Sequence, residues 1–126
     1  TKKLINKTNI NRDFIKAIGI SYQMHGLVLL DNKKKLIRNS IIWCDSRSVN
    51  IGNKAEKEIG RKRCKENLLN TPGNFTASKL KWVMENEPGL YKRVKYFMLP
   101  GDYIVFKLTG EITTTINGLS DLVDFL

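Results

Sequence analysis

A chain of 126 residues is the size of one ordinary domain, and 41% hydrophobic with 27% charged residues is a globular composition that excludes intrinsic disorder. No apolar run approaches the roughly 20 residues of a membrane helix, and residues 1–13 contain no signal-peptide core, so we expect a cytoplasmic protein without a membrane partner. The two cysteines and the single histidine lack the spacing of a metal site.

The net charge of +10 raises the question of nucleic-acid binding, which clustered lysine and arginine favour through counterion release. The basic runs at residues 33–35 and 61–63 are short, far apart in sequence and not interleaved with aromatic residues that could stack on bases. We therefore predict no nucleic-acid partner, and a small basic nucleic-acid binder stays as the weaker alternative.

The first part of the chain predicts strands. Ala17–Ser21 alternates small and large apolar residues, which predicts a buried strand, and Leu27–Leu30 predicts a second one. Asp31–Lys33 has turn chemistry, so Lys35–Ile37 is expected to return as a hairpin partner. Ser40–Trp43 predicts a further strand.

The middle of the chain predicts helices. Apolar residues at helical spacing between residues 51 and 59 indicate a helix that Ser46 or Ser48 could cap and that ends near Gly60. A looser basic stretch is expected to follow. Apolar residues between residues 77 and 84 share one helical face and indicate a second helix.

The last part of the chain alternates between helix and strand. Pro88 must stop the preceding helix and can open a short one that runs through Val94. Tyr96–Leu99 predicts a strand, Asp102–Thr109 a helix, and Ile112–Ile116 a final strand. The order of elements indicates an α/β fold with a mixed sheet flanked by helices.

Four blocks resemble, in the same order, motifs of the carbohydrate kinase family that includes xylulokinase, glycerol kinase and gluconokinase. The blocks are residues 17–26, 41–47, 73–82 and 99–111, within a resemblance that extends from about Ile15 to Ser120. The segment Gln23-Met24-His25-Gly26 is similar to the Gln-Met-His-Gly of xylulokinases. Trp43-Cys44-Asp45-Ser46-Arg47 is similar to the family's Trp-Asn-Asp-x-Arg, with Cys44 as a departure.

The resemblance implies part of a ribonuclease H-like domain of the actin-like ATPase type. Residues 1–126 would form a partial N-terminal sugar-binding domain, without the first strands, the phosphate loop and the C-terminal domain that carries the catalytic aspartate. The complete protein would convert ATP and D-xylulose to ADP and D-xylulose 5-phosphate. Its cofactors would be ATP and Mg²⁺. The isolated chain would be inactive. Another polyol or ketose as substrate, or a non-catalytic remnant that self-associates through an exposed sheet edge, are the alternatives.

The resemblance also implies which residues bind the sugar. Met24 and His25 would lie against it, because a thioether packs on carbon and an imidazole hydrogen-bonds to hydroxyls. Gln23 would add a polar contact. Asn74 would be either a sugar ligand or the N-cap of the following helix, and Met24 could instead be core filler.

No catalytic residue is expected within the chain. Neither Asp45 nor Asp102 matches the catalytic base of the family, and we expect a structural role for Asp45. Lys79 and Trp82 lie in the signature helix, where packing together with a solvated amine is the expected role.

Overall fold

A computed structural model describes residues 2–68 and 70–119 of the protein. Residues 120–126 lie outside the described residues, and they include the end of the resemblance at Ser120. The helices are α1 (Lys2–Thr8), α2 (Val49–Ile59), α3 (Arg61–Leu68), α4 (Thr76–Asn86), α5 (Pro88–Tyr91), α6 (Pro100–Thr109) and α7 (Ile116–Leu119). The strands are β1 (Val28–Leu30) and β2 (Tyr96–Met98), and 3-10 turns cover Arg12–Phe14 and Pro72–Asn74. No helix within the described ranges is long and apolar enough to cross a bilayer.

Strand β1 lies at the centre of the structure. It pairs with β2 in antiparallel register. The carbonyl groups of successive residues in a strand point to opposite sides, so β1 can bond to a neighbour on each side. The Leu30 carbonyl accepts from Lys95 next to β2, whereas the Leu29 carbonyl accepts from Ile37 of the returning hairpin arm. The strand predicted at Leu27–Leu30 and its hairpin partner are therefore confirmed.

The core is divided between the two faces of β1, because successive side chains of a strand point to opposite sides. On one face, Leu27 and Leu29 pack with Ile41 and with Val83 of α4. On the other face, Val28 and Leu30 pack with Met98, and aromatic side chains of α6 cover them. Each fully buried side chain of this size contributes about 1.5–3 kcal/mol to folding. β1 thus fixes the loop that precedes it relative to α4.

Helix α2 lies against the turn Pro72–Asn74 with almost no space between the two backbones. A Cβ atom on Gly52 would lie 2.1 Å from the Cα atom of Gly73. Ser48 occupies the predicted N-cap position, but its hydroxyl donates to the Gly73 carbonyl at 2.9 Å instead of capping the helix. Gly60 ends the helix with a φ of 96°, as the sequence predicted.

The strand predicted at Ala17–Ser21 is wrong. These residues are irregular, and Ile18 is 68% exposed. A strand acquires its hydrogen bonds from a neighbour, and among the described residues β1 pairs with β2 and the hairpin instead. The strand predicted at Ser40–Trp43 shortens to one bridge at Ile41, because the chain enters a turn at Trp43.

Four further differences involve α1, α3, α5 and the segment before α7. The stretch after Gly60 is the regular helix α3, which sequence periodicity did not reveal because Cys64 is its one buried residue. The final strand predicted at Ile112–Ile116 is wrong, because residues 112–115 are irregular and α7 begins at Ile116. Helix α1 was not predicted, and it has no buried side chain. Helices α2, α4 and α6 are confirmed, and α5 ends at Tyr91, before the predicted Val94.

Candidate functional site

Three loops meet next to the N-terminal end of β1 and surround a cavity of about 400 Å³. They are the loop before β1, the turn that follows Ile41, and the segment from the Pro72–Asn74 turn to the start of α4. The side chains that concern the site are Met24, His25, Trp43, Asn53, Asn74 and Phe75. The structure therefore brings together three of the four predicted sugar-binding residues.

His25 has an unusual backbone and a constrained ring. Its φ of 61° lies in the left-handed region, which is uncommon for a residue other than glycine. The imidazole stacks on the ring of Phe75 with centroids 4.6 Å apart. Its carbonyl accepts a hydrogen bond of 2.8 Å from Lys79 Nζ. Both the backbone and the ring of His25 are thus held from the side of α4.

Met24 lies at the open side of the cavity with 62% of its surface exposed. The alternative that it fills the core is therefore wrong. Trp43 lines the same cavity and is 55% exposed. An exposed thioether and an exposed indole beside polar groups can contact the carbon atoms of a ligand while leaving its hydroxyl groups to other partners.

Asn74 joins two of the loops through its side chain. Its Nδ2 atom donates to the Trp43 carbonyl, and its Oδ1 atom accepts from Lys79 Nζ at 2.8 Å. The residue before α4 is Phe75, which makes no side-chain capping bond, so the alternative that Asn74 caps this helix is wrong. Gln23 does not line the cavity, and its Oε1 atom accepts from the Trp43 backbone N–H at 3.1 Å.

Lys79 is a residue whose importance the sequence did not suggest. It is completely buried, and its ammonium group donates to the carbonyls of His25 and Asn74 and to Asn74 Oδ1. The prediction of a solvated amine is therefore wrong. The available signal was its spacing, since Lys79 lies three residues after Thr76 and four before Val83, and both are buried on the same face of α4.

The two aspartates considered in the sequence, Asp45 and Asp102, already have partners. Asp45 forms a two-pronged ion pair with Arg47, with distances of 2.9 and 2.8 Å, which agrees with its predicted structural role. These side-chain hydrogen bonds from Arg47 hold the pKa of Asp45 below its usual 3.8. The Arg47 guanidinium lies 4.7 Å from the centre of the Trp82 ring. Asp102 Oδ2 accepts from the Leu99 N–H and caps α6.

The lining of the cavity indicates which ligand it can take. It combines amide, imidazole, thioether and aromatic groups, and it includes no aspartate, glutamate, lysine or arginine. Neutral hydroxyl groups match such donors and acceptors, whereas phosphates call for cationic partners. Within the described ranges no group of three metal-ligating side chains occurs. These residues fit a small polyhydroxylated molecule, and they fit neither nucleotide phosphates nor Mg²⁺.

Comparison with known proteins decides the family. The N-terminal domain of the FGGY family of carbohydrate kinases matches residues 1–123. The chain belongs to this family. The xylulose kinase of Bacillus subtilis is 38% identical over 117 residues, which cover 89% of this chain and 22% of that protein. The chain thus spans less than a quarter of the relative's length.

Solved structures of the FGGY family agree with this assignment. A xyloylose kinase from Brucella ovis overlays with a TM-score of 0.75 and 33% identity, over 87% of this chain and 23% of that one. A gluconate kinase from Lactobacillus acidophilus overlays with a TM-score of 0.78 and 24% identity, over 92% of this chain and 24% of that one. The predicted α/β fold class, part of a ribonuclease H-like domain of the actin-like ATPase type, is confirmed. The described residues contribute an antiparallel pair of strands to it.

Proposed function

We propose that residues 1–126 are part of the N-terminal, sugar-binding domain of a xylulokinase. The complete protein would transfer the terminal phosphoryl group of ATP to D-xylulose and release ADP and D-xylulose 5-phosphate. The observation that carries the proposal is the uncharged cavity lined by Met24, His25 and Asn74 in a chain of the FGGY family. The names of its relatives support the choice of sugar.

The chemistry of the cavity suits an open-chain or cyclic ketopentose. In phosphoryl transfer the protein contributes mainly by holding the accepting hydroxyl in line with the phosphate, so the orientation of the sugar matters more than covalent help. The imidazole of His25 can bind a sugar hydroxyl while its ring position is set by Phe75. Met24 and Trp43 cover the carbon chain at the open side. Together these groups would orient the sugar without an acidic, lysine or arginine side chain in the lining.

A second candidate is a kinase for another polyol, ketose or sugar acid, which the overlay with a gluconate kinase favours. A sugar acid carries a carboxylate, for which proteins usually provide arginine or lysine. No such side chain lines the cavity. The neutral ketose is therefore the better match.

The remaining predictions concern the complete protein. Membership of a carbohydrate kinase family implies ATP as the phosphoryl donor. We propose that ATP and Mg²⁺ are held outside the described residues and that the 126-residue chain alone has no kinase activity. The cytoplasmic location and the absence of a nucleic-acid partner stay predictions. So does self-association through a sheet edge, for which β2 offers three residues.

The test is a kinase assay on the complete protein, with ADP release measured against D-xylulose, gluconate and glycerol. We expect D-xylulose to give the highest kcat/KM. His25→Asn removes the imidazole but tolerates the left-handed backbone, so it should raise the KM for D-xylulose by about tenfold. Lys81→Ala on the exposed side of α4 is the matched control. A preference for gluconate or glycerol would refute the choice of substrate, and an unchanged sugar KM in His25→Asn would refute the role of His25.

A further inference from the structure

We infer that Lys79 is a positioning residue that holds the walls of the sugar site together. The inference rests on the proposed function, because it assigns Lys79 a part in binding the sugar. The lysine would not touch the sugar itself. It would act through the backbone of His25 and the side chain of Asn74, the two residues to which its ammonium group donates.

The geometry of the ammonium group supports an indirect role. A lysine ammonium has three N–H donors, and three oxygen atoms of the two cavity residues surround it. The residue has no exposed surface, so the cation is kept out of water. A buried cation needs well-placed acceptors, and this requirement fixes where the acceptors lie. Lys79 thereby dictates the relative positions of His25 and Asn74.

The hydrogen bonds continue beyond Lys79 and link all three loops around the cavity. Asn74 Nδ2 donates to the Trp43 carbonyl, and the Trp43 N–H donates to Gln23 Oε1. Lys79 and His25 are 54 residues apart in sequence, and Asn74 and Trp43 are 31 apart. The Leu27–Ile41 bridge and the stacking of His25 on Phe75 also join these loops. The lysine, the asparagine and the glutamine add hydrogen bonds at the cavity itself.

The left-handed backbone of His25 makes this alignment consequential. With a φ of 61°, His25 has a left-handed backbone conformation that is uncommon for a non-glycine residue. The 2.8 Å bond from Lys79 Nζ to the His25 carbonyl stabilises this conformation. Without the bond the peptide can turn toward a commoner conformation, and the imidazole would move with it.

The test is Lys79→Met in the complete protein, with Lys81→Met on the same helix as control. Methionine keeps the length of the side chain and removes the three donors, whereas Lys81 is half exposed and pairs with Glu85. We expect the KM for the sugar to rise by about tenfold or more in Lys79→Met, with the KM for ATP within about twofold of wild type. Lys81→Met should change neither constant. Cooperative thermal unfolding establishes that each variant is folded.

Asn74→Ala and the double variant Lys79→Met/Asn74→Ala complete a double-mutant cycle, in which the sugar KM of all four proteins is compared. If the two residues act as one unit, the sugar KM of the double variant stays close to that of the worse single variant. If their effects multiply, the two act separately and the inference is overturned. A folded Lys79→Met protein with a wild-type sugar KM also overturns it. Where Lys79→Met does not fold, Asn74→Ala decides, and a wild-type sugar KM in that variant overturns the inference.

The outcome can be separated from that of the proposed function. A wild-type protein that phosphorylates gluconate in place of D-xylulose refutes the choice of substrate but leaves the test of Lys79 intact with gluconate as the varied sugar. A wild-type protein active on D-xylulose, combined with a folded Lys79→Met variant of unchanged sugar KM, refutes the inference alone.

Discussion

The imidazole of His25 and the ring of Phe75 lie face to face, with their planes inclined by 21° and their centroids 4.6 Å apart. His25 belongs to the loop before β1, and Phe75 is the residue that precedes α4. The contact therefore joins the binding loop to the helix that carries Lys79. An aromatic pair of this geometry stabilises by about 0.5–1.5 kcal/mol beyond the area it buries.

Replacing Phe75 by leucine should affect stability and sugar binding together. Phe75 is 5% exposed, so the loss of ring volume and stacking should lower the free energy of unfolding by about 1–3 kcal/mol. The sugar KM should rise because the imidazole loses its support. Phe97→Leu is the control, since Phe97 on β2 is 42% exposed and should lose less than about 0.5 kcal/mol. Urea unfolding and sugar kinetics measure both effects, and equal losses in the two variants would contradict the prediction.

Gly52→Ala should be one of the most damaging alanine substitutions in the chain. The new methyl group would lie 2.1 Å from the Gly73 Cα atom, and a backbone neighbour cannot rotate away. We expect the free energy of unfolding to fall by about 1–3 kcal/mol or more. Gly89→Ala in α5 is the matched control, because no atom beyond its chain neighbours and its own helix backbone lies within 4 Å of its Cβ position. Gly89→Ala should leave the stability unchanged or raise it by about 0.4–1 kcal/mol. Urea unfolding of both variants measures the difference. Similar stability of the two variants would disprove close packing at Gly52.

The Asp45–Arg47 ion pair predicts a pH-dependent part of the stability. The pKa of Asp45 is below its usual value in the folded protein because Arg47 hydrogen-bonds to the ionised carboxylate. The stabilisation is therefore fully present above the usual carboxyl pKa of 3.8 and is lost as the pH falls through the lower folded pKa. Both side chains are partly exposed, so Asp45→Asn should cost at most about 1 kcal/mol at pH 7.

Thermal unfolding of wild type and Asp45→Asn between pH 7 and pH 2.5 measures this effect. The difference between the two unfolding free energies should shrink towards the acid end, because a protonated carboxyl and an amide interact similarly with Arg47. A difference that is the same at pH 7 and pH 3 would show that the ion pair contributes nothing.

The two cysteines should differ strongly in reactivity. Cys44 is exposed next to the cavity loop, whereas Cys64 in α3 is 1% exposed. Alkylation followed by peptide mass spectrometry should label Cys44 in the native protein and Cys64 only when the protein opens, with rates that differ by about 100-fold or more. In denaturant both should react alike. Rapid labelling of Cys64 in the native protein would mean that the buried face of α3 is not shielded from solvent.

Helices that carry an apolar stripe and a clear stop signal could be predicted from the sequence. Helix α2 ends at Gly60, and α6 ends at Gly110 with a φ of 81°. The strand at Ala17–Ser21 could not be judged in the same way, because a strand depends on a neighbour that local sequence does not reveal. Helix α3 escaped prediction because a helix with one buried residue has almost no apolar periodicity.

The candidate site likewise contains residues that the sequence predicts and one that it does not. Met24, His25 and Asn74 were found through motif resemblance, and the fold brings them to one cavity although Asn74 is far along the chain. The burial of Lys79 was missed because lysine is normally a surface residue. What its ammonium group binds depends on a loop 54 residues away, and no local pattern carries that information.

The contact between Gly52 and Gly73 has a mechanical consequence. Side chains between two elements let them slide, since rotamers can change to absorb small shifts. Here the backbones touch directly, and the Ser48 hydroxyl ties the same segment to the start of the helix. Helix α2 and the loop that carries Asn74 must therefore travel as one rigid piece, so any closing of the protein around a bound sugar has to bend the chain elsewhere.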